Sequence, residues 1–424
     1  MNTNSLTKHQ SNRIYDSFNH KSIGQKAKIY PINQHAPQSI PHENATLPLA
    51  SINQHDLTNN LDWMQNFADH HNVKLCPHGK TTMTPHFFEQ QLSNGAWGIT
   101  VATPAQAEVA AMAGAKNVIM ANQLVGMANM QRVLDLIKQY DLNFYCCVDS
   151  SVNILQLDTF FGHTNQTLNL LIEFGVTGGR CGCRTEEQVQ SLAKQISDSK
   201  ALKLKGIEVY EGVIGGDNAE GDIRAFLSKT LQLAQTLREN GWITTLPLVT
   251  GAGSAWYDVV AETFANLTDY FAVIRPGCYA IHDTGIYAQS QDQVMQRAQN
   301  NQGYACDLGG DLSSALEVWA YVISRPEPNK AVIGLGKRDV AFDAGLPIVE
   351  RVYRNGEEFN VGDIEATAIM DQHMFVSIDA DSPLQVGDMI AFSTSHPCLT
   401  FDKWRTIAVV DEQYCVTEWV STYF

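Results

Sequence analysis

Short apolar runs bounded by turn-forming residues recur along the first two-thirds of the chain. They fall at 73–76, 97–101, 118–121, 144–148, 168–174, 204–210, 246–249 and 271–274, and each reads as a β-strand. Helical patterns lie between most of them. Thr103-Pro104-Ala105-Gln106 is a capping-box start with proline at the first helical position, and Gly114 stands where that helix should stop. From 222 to 237, Ile223, Phe226, Leu227, Leu231 and Leu233 recur at near-helical spacing and predict an amphipathic helix. Eight strand-helix units in succession predict an α/β fold of the (β/α)8 TIM-like barrel type, with an open doubly wound sheet as the other arrangement.

Beyond residue 290 the pattern changes to short strand-like runs at 316–323, 331–335, 375–378, 389–392 and 406–410, separated by Gly, Pro and Asp. Val386-Gly387-Asp388 is a tight-turn signal. The predicted organisation is a polar N-terminal segment, 1–45, which is disordered or lends a strand to the β domain; a barrel, 46–289; and a C-terminal, mostly β domain, 290–424.

Composition narrows the function classes. The chain has 424 residues, 44% hydrophobic and 17% charged, enough for a large buried core. Its 29 basic and 45 acidic side chains give a net charge of −16, which repels nucleic acid and anionic lipid. No run approaches the ~20 apolar residues of a membrane span, and the start has no signal-like apolar stretch, so a cytoplasmic location is expected. Nine cysteines in no framework spacing predict reduced thiols, with Cys146-Cys147 and Cys181-Gly182-Cys183 as small core residues.

The Gly79-Lys80-Thr81-Thr82 stretch looks like the end of a nucleotide-binding phosphate loop. That loop needs a glycine where Lys74 stands, and Pro77 removes one of its N–H donors, so the reading fails. Lys80 instead follows the first barrel strand, and chemistry in this fold sits at the C-terminal ends of the strands. Arg180 follows the fifth strand, Tyr210 ends the sixth, Gly251-Ala252-Gly253-Ser254 follows the seventh and Arg275-Pro276-Gly277 the eighth. A glycine-rich turn there is suited to a phosphate, and a lysine across the mouth to a Schiff base with an aldehyde. Pyridoxal phosphate meets both requirements, with Gly79 expected to let the chain turn so that the amine reaches the barrel centre.

Pro77-His78-Gly79-Lys80-Thr81 with Thr84-Pro85 resembles the Pro-His-x-Lys-Thr-x-x-x-Pro signature of the D-serine dehydratase and D-threonine aldolase family, relatives of alanine racemase with the fold type III pyridoxal phosphate barrel. Further similar stretches are Gly178-Gly179-Arg180-Cys181-Gly182, Tyr210-Glu211-Gly212, Thr250-Gly251-Ala252-Gly253-Ser254, Pro276-Gly277-Cys278-Tyr279, Asp343-Ala344-Gly345-Leu346-Pro347 and Ser395-His396-Pro397-Cys398. The resemblance implies that Lys80 holds the cofactor and moves protons at the substrate Cα. It implies that Arg180 meets the pyridine nitrogen, that Tyr210 packs beside the ring, and that Thr250, Gly251, Gly253, Ser254, Gly277 and Cys278 surround the phosphate. Arg275 departs from many aldolase-like members and leaves open which arginine faces the pyridine nitrogen.

His396 and Cys398 sit at i and i+2 in a stretch that reads as strand-like, which would point both side chains the same way. Two ligands with open positions suit a catalytic ion, and thiolate favours Zn2+ over harder divalent ions. The dehydratase branch resembles this chain in its His-x-Cys, whereas the aldolases have His-x-Asp, so β-elimination from a D-β-hydroxy amino acid such as D-serine or D-threonine is expected. A racemase or retro-aldol lyase on the same cofactor, and a pyridoxal phosphate carrier without catalysis, are the alternatives. The resemblance also implies a homodimer.

Overall fold

All eight strands expected between residues 73 and 274 form. The computed structural model describes residues 39–42 and 46–424. In chain order its strands begin with β1 (Leu49–Asn53), β2 (Lys74–Leu75), β3 (Ile99–Val101), β4 (Asn117–Gln123) and β5 (Asn143–Val148). They continue with β6 (Leu168–Phe174), β7 (Leu202–Val209), β8 (Leu248–Gly251) and β9 (Phe271–Ile274). The strands β2 to β9 are mutually parallel in the order β2-β9-β8-β7-β6-β5-β4-β3. The two ends of that ladder meet where Trp97 N–H donates to Leu75 O and Thr100 N–H to Pro77 O, both at 2.8 Å, so the sheet closes on itself.

The intervening helices start and stop as their caps dictate. The Thr103 hydroxyl accepts from Gln106 N–H (3.3 Å), while the Gln106 side chain accepts from Ala102 N–H (2.8 Å), one residue earlier than a capping box requires. That helix, Pro104–Met112, ends before Gly114, whose φ of +87° suits glycine. The helix Ala219–Glu239 turns Ile223, Phe226, Leu227 and Leu233 inward. Within the ring, Cys76, Ile119, Tyr145, Leu171, Leu248 and Val273 form one buried cluster. Trp97 lies beneath it, with ring centroids 5.9 Å from Tyr145 and 5.2 Å from Phe271, so aromatic side chains fill the N-terminal end of the barrel.

The remaining strands are β10 (Leu316–Glu327), β11 (Lys330–Ile333), β12 (Ile348–Arg354), β13 (Glu357–Glu358), β14 (Ile364–Ile369), β15 (Met374–Ile378), β16 (Met389–Ser393), β17 (Thr406–Val410) and β18 (Val416–Ser421). They pair antiparallel, and β1 inserts between β10 and β17, placing Leu49 opposite Trp319. Leu49, Trp319, Met389, Ala408 and Val410 pack there with Ile40.

Two compact units result: one contains the described residues up to Thr58 with Ile281–Ile286 and Ser313–Phe424, the other Asn59–Ala280 with Tyr287–Leu312. The boundaries differ from those read in the sequence at both ends of the barrel. Residues 46–58 contribute β1 to the antiparallel sheet because Leu49, Ala50 and Ile52 bury against it, and the helix Ile286–Asn301 packs largely with the barrel unit, where Arg297 pairs with Asp258 (2.6 Å). Of the predicted N-terminal segment, only Ser39 to His42 is described, where Ser39 bridges Cys415; the expectation for 1–38 and 43–45 lies outside the described residues. Among the described residues no helix is long and apolar enough to cross a membrane.

Candidate active site

The C-terminal ends of the barrel strands surround a cavity of about 140 Å³. Lys80, Arg180, Tyr210, Gly253, Ser254, Arg275, Gly277 and Cys278 line it, together with His78, Asn122 and Tyr287, which the sequence did not single out as site residues. Lys80 sits in the 3-10 turn Gly79–Thr81, and the His78 ring caps that turn by accepting from Lys80 N–H through Nδ1 (3.4 Å). Gly79 is there for space rather than for a special backbone angle, since a Cβ would come within 2.6 Å of the Phe88 ring.

Charged groups besides Lys80 sit in or beside this cavity. Arg275 is buried and forms an ion pair with Glu208, also buried, and donates to Val209 O at 3.0 Å. Arg180, by contrast, lies over the Tyr210 ring with its guanidinium carbon 4.4 Å from the ring centroid. Glu173 accepts from the Gln123 amide at 2.7 Å, yet burial and then the charge of Glu208 push its carboxyl up to about 7. Burial, reinforced by the charges of Lys80, Arg275 and Arg180, holds the His78 imidazole well below its usual value, so it stays neutral near pH 7.

Thr250 and Gly251 do not line the cavity. They are the last residues of β8, where Gly251 is paired with Ile274 in the ladder, and both are buried. The next two amides are engaged within the protein: Ala252 N–H donates to Glu211 Oε2 (3.0 Å) and Gly253 N–H to Glu211 Oε1 (2.8 Å). The expected phosphate cup is thus narrower than the glycine-rich motif implied. The lining offers in their place the Gly277 and Cys278 amides, which donate to Ser254 Oγ over long distances of 3.4 and 3.3 Å, and that hydroxyl itself. Backbone N–H groups and a hydroxyl at one end, Lys80 and Arg180 as cations and Tyr210 as a flat wall make a donor set that fits pyridoxal phosphate.

His396 and Cys398 lie in the other unit. The strand-like expectation for them fails, because β16 ends at Ser393 and Cys398 opens the short helix Cys398–Phe401. Proline between them prevents the pleat from continuing, so a turn and not strand alternation brings them together. The His396 imidazole is pushed up to about 9 by its hydrogen bond with Cys398, and then by Asp343, whose Oδ2 lies 2.8 Å from Nδ1. A histidine whose other ring nitrogen meets a carboxylate, next to a thiol, is a donor set that fits zinc. Among the described residues, the groups of three whose ligand atoms converge are elsewhere, Cys147–Glu173–Glu208 and Asp149–Glu173–Cys181 in the barrel. In the first of them the Arg275 guanidinium already pairs with Glu208.

Fold and site together define a pyridoxal-phosphate-type barrel with an appended β unit. The family described as "Alanine racemase, N-terminal domain" matches residues 52–283, and "Putative serine dehydratase domain" matches 315–410. The chain belongs to this alanine racemase-like, fold type III family. It is 26% identical over 357 residues to a D-threonine aldolase of an Arthrobacter species, covering 83% of this chain and 85% of that one. It is 24% identical over 301 residues to the D-threo-3-hydroxyaspartate dehydratase of a Delftia species, covering 62% and 78%. The crystal structure of a D-threonine aldolase from Filomicrobium marinum superimposes with a TM-score of 0.74 at 22% identity, over 89% of this chain and 95% of that one.

Proposed function

We propose that this protein is a pyridoxal 5'-phosphate- and zinc-dependent ammonia-lyase that converts a D-β-hydroxy amino acid such as D-serine or D-threonine to a 2-oxo acid and ammonia. The observation that carries this reading is the His396–Cys398 pair, whose thiol makes a softer metal site than a carboxylate would. When bound, pyridoxal phosphate supplies an electron sink for charge at Cα, and zinc supplies a Lewis acid for an oxygen leaving group.

The chain's own residues then have separable tasks. Lys80 Nζ would be the amine that holds the cofactor, and it would serve as the base for the Cα proton. The neutral His78 ring anchors the Lys80 turn without adding a competing positive charge. Arg275 is held through Nη2 by Glu208 and Val209 O, and Arg180, over the Tyr210 ring at the cavity wall, would be the cation that meets the pyridine nitrogen. Tyr210 supports the Arg180 guanidinium and would also pack beside the cofactor ring. Ser254, Gly277 and Cys278 would take the phosphate. His396 and Cys398 would hold the zinc, with Asp343 orienting the imidazole. In the overall reaction the Cα–H and Cβ–O bonds break with loss of water, and hydrolysis of the resulting enamine releases ammonia, with no net redox change.

A retro-aldol reading is favoured by one finding, the similarity to D-threonine aldolase, and would yield glycine and an aldehyde. A screen of D- and L-serine, threonine and 3-hydroxyaspartate separates the two, with 2-oxo acid and ammonia measured alongside glycine and Lys80→Ala as control. Glycine formed in place of 2-oxo acid from every D-substrate would overturn the dehydratase reading. The same reading carries a cytoplasmic homodimer, which light scattering of the purified protein and fractionation of cells would test.

A further inference from the structure

Glu211 follows Tyr210, the cavity-lining residue just after β7, and its side chain is fully buried. Both of its carboxylate oxygens are used: Oε2 accepts from Ala252 N–H at 3.0 Å and Oε1 from Gly253 N–H at 2.8 Å. Two successive N–H groups pointing the same way form an anion-binding nest. Here the anion is one of the protein's own side chains.

The local backbone shows what the carboxylate does. Ala252 has φ of +75°, a left-handed conformation unfavourable for a residue with a Cβ, and it falls at the centre of the nest. Gly251 packs against Val209, whose Cγ2 lies 3.1 Å from where a Cβ would be, and the Glu211 carboxylate lies just beyond at contact distance. Gly253 packs against the Tyr210 ring, 3.1 Å from where its Cβ would be, so the same loop also seats the tyrosine. The residue after the nest is Ser254, whose hydroxyl gathers the Gly277 and Cys278 amides.

We propose that Glu211 is a positioning residue for the cofactor phosphate: by clamping the Ala252 and Gly253 amides it fixes the left-handed turn that delivers Ser254 to the Gly277 and Cys278 amides. The proposal rests on the pyridoxal phosphate reading of the cavity. It also explains why a glycine-rich turn of phosphate-binding appearance contributes so few of its own N–H groups.

The test compares two ligands that differ only in the phosphate. Equilibrium binding of pyridoxal 5'-phosphate and of pyridoxal to the full-length apoprotein is measured by absorbance for wild type, Glu211→Gln and Glu211→Ala. Each variant loses at least one charge-assisted hydrogen bond from the loop, so pyridoxal phosphate binding should weaken by roughly tenfold or more while pyridoxal binding changes by less than about threefold. Equal weakening of both ligands, or an unchanged ratio, overturns the proposal. If Glu211→Ala does not fold, the near-isosteric Glu211→Gln reads the same ratio, and in it the amide –NH2 meets one loop N–H donor to donor. A wild type that binds neither ligand defeats the cofactor reading and the proposal with it; a wild type that prefers the phosphorylated ligand, with that preference intact in Glu211→Gln, defeats the proposal alone.

Discussion

Replacing Glu173 with glutamine should change how stability depends on pH more than it changes stability itself. Glu173 is 3% exposed, and burial with the charge of Glu208 raises its carboxyl from 4.5 to about 7. Asp149 raises it further, while Gln123 and Arg180 work in the opposite direction. Arg275, paired with Glu208, and the thiols of Cys147 and Cys181, whose ligand atoms converge with Glu173, are further ionisable neighbours. At ~1.4 kcal/mol per tenfold change in proton affinity, a rise from 4.5 to about 7 corresponds to on the order of 3 kcal/mol. The sign follows from the folded state binding this proton more tightly than the unfolded state. The stabilising contribution is complete below pH 4.5, is lost as pH rises through about 7, and is absent by about pH 8. In Glu173→Gln the amide oxygen accepts the same bond from Gln123 and does not titrate. Thermal unfolding of wild type and variant between pH 5 and 8.5 should show the variant gaining steadily, to roughly 6–10 °C at the alkaline end for a domain of this size. A gap that is the same at pH 5.5 and 8.5 would refute the reasoning.

Removing the partner of the buried guanidinium is expected to be costly: Glu208→Ala should lose roughly 3–5 kcal/mol by urea unfolding, because Arg275 is left charged in the barrel, and Glu208→Ala/Arg275→Met should recover part of it. Arg180→Ala should change the absorption spectrum and reactivity of bound cofactor while leaving unfolding nearly unaltered, since its structural contact is a face-on cation–π pair worth ~1 kcal/mol. Exhaustive chelation should abolish 2-oxo acid release without removing cofactor absorbance, and zinc should restore it to wild type but not to Cys398→Ala. Survival of activity after chelation would count against the metal role of His396 and Cys398.

The barrel was readable because its strands are buried on both faces, so each appears as an unbroken apolar run such as Leu168–Phe174. Lys80 was readable for a different reason, a short motif with proline, histidine and threonine in fixed places. The charges inside the barrel were not. Glu208 and Arg275 stand 67 residues apart, and each looks locally like an ordinary polar residue on or after a strand. Glu211 was visible only as part of Tyr210-Glu211-Gly212, and nothing local shows that its oxygens reach the turn after β8. Thr250 and Gly251, which the motif places in the phosphate cup, end β8 and do not line the cavity. The His396 region was misread in its local form because residues 389–393 are a true strand and the pattern does not say where the pleat stops. The barrel boundary moved because five residues, Leu49–Asn53, carry no signal of which sheet they join.

The rings of Trp97, Tyr145 and Phe271 fill the barrel axis, so the cavity at the strand ends is a cup and not a tunnel through the barrel. A product molecule held in the cup occupies the space the next substrate needs. Accumulated product should accordingly act as a competitive inhibitor in initial-rate measurements, raising apparent KM and leaving kcat untouched.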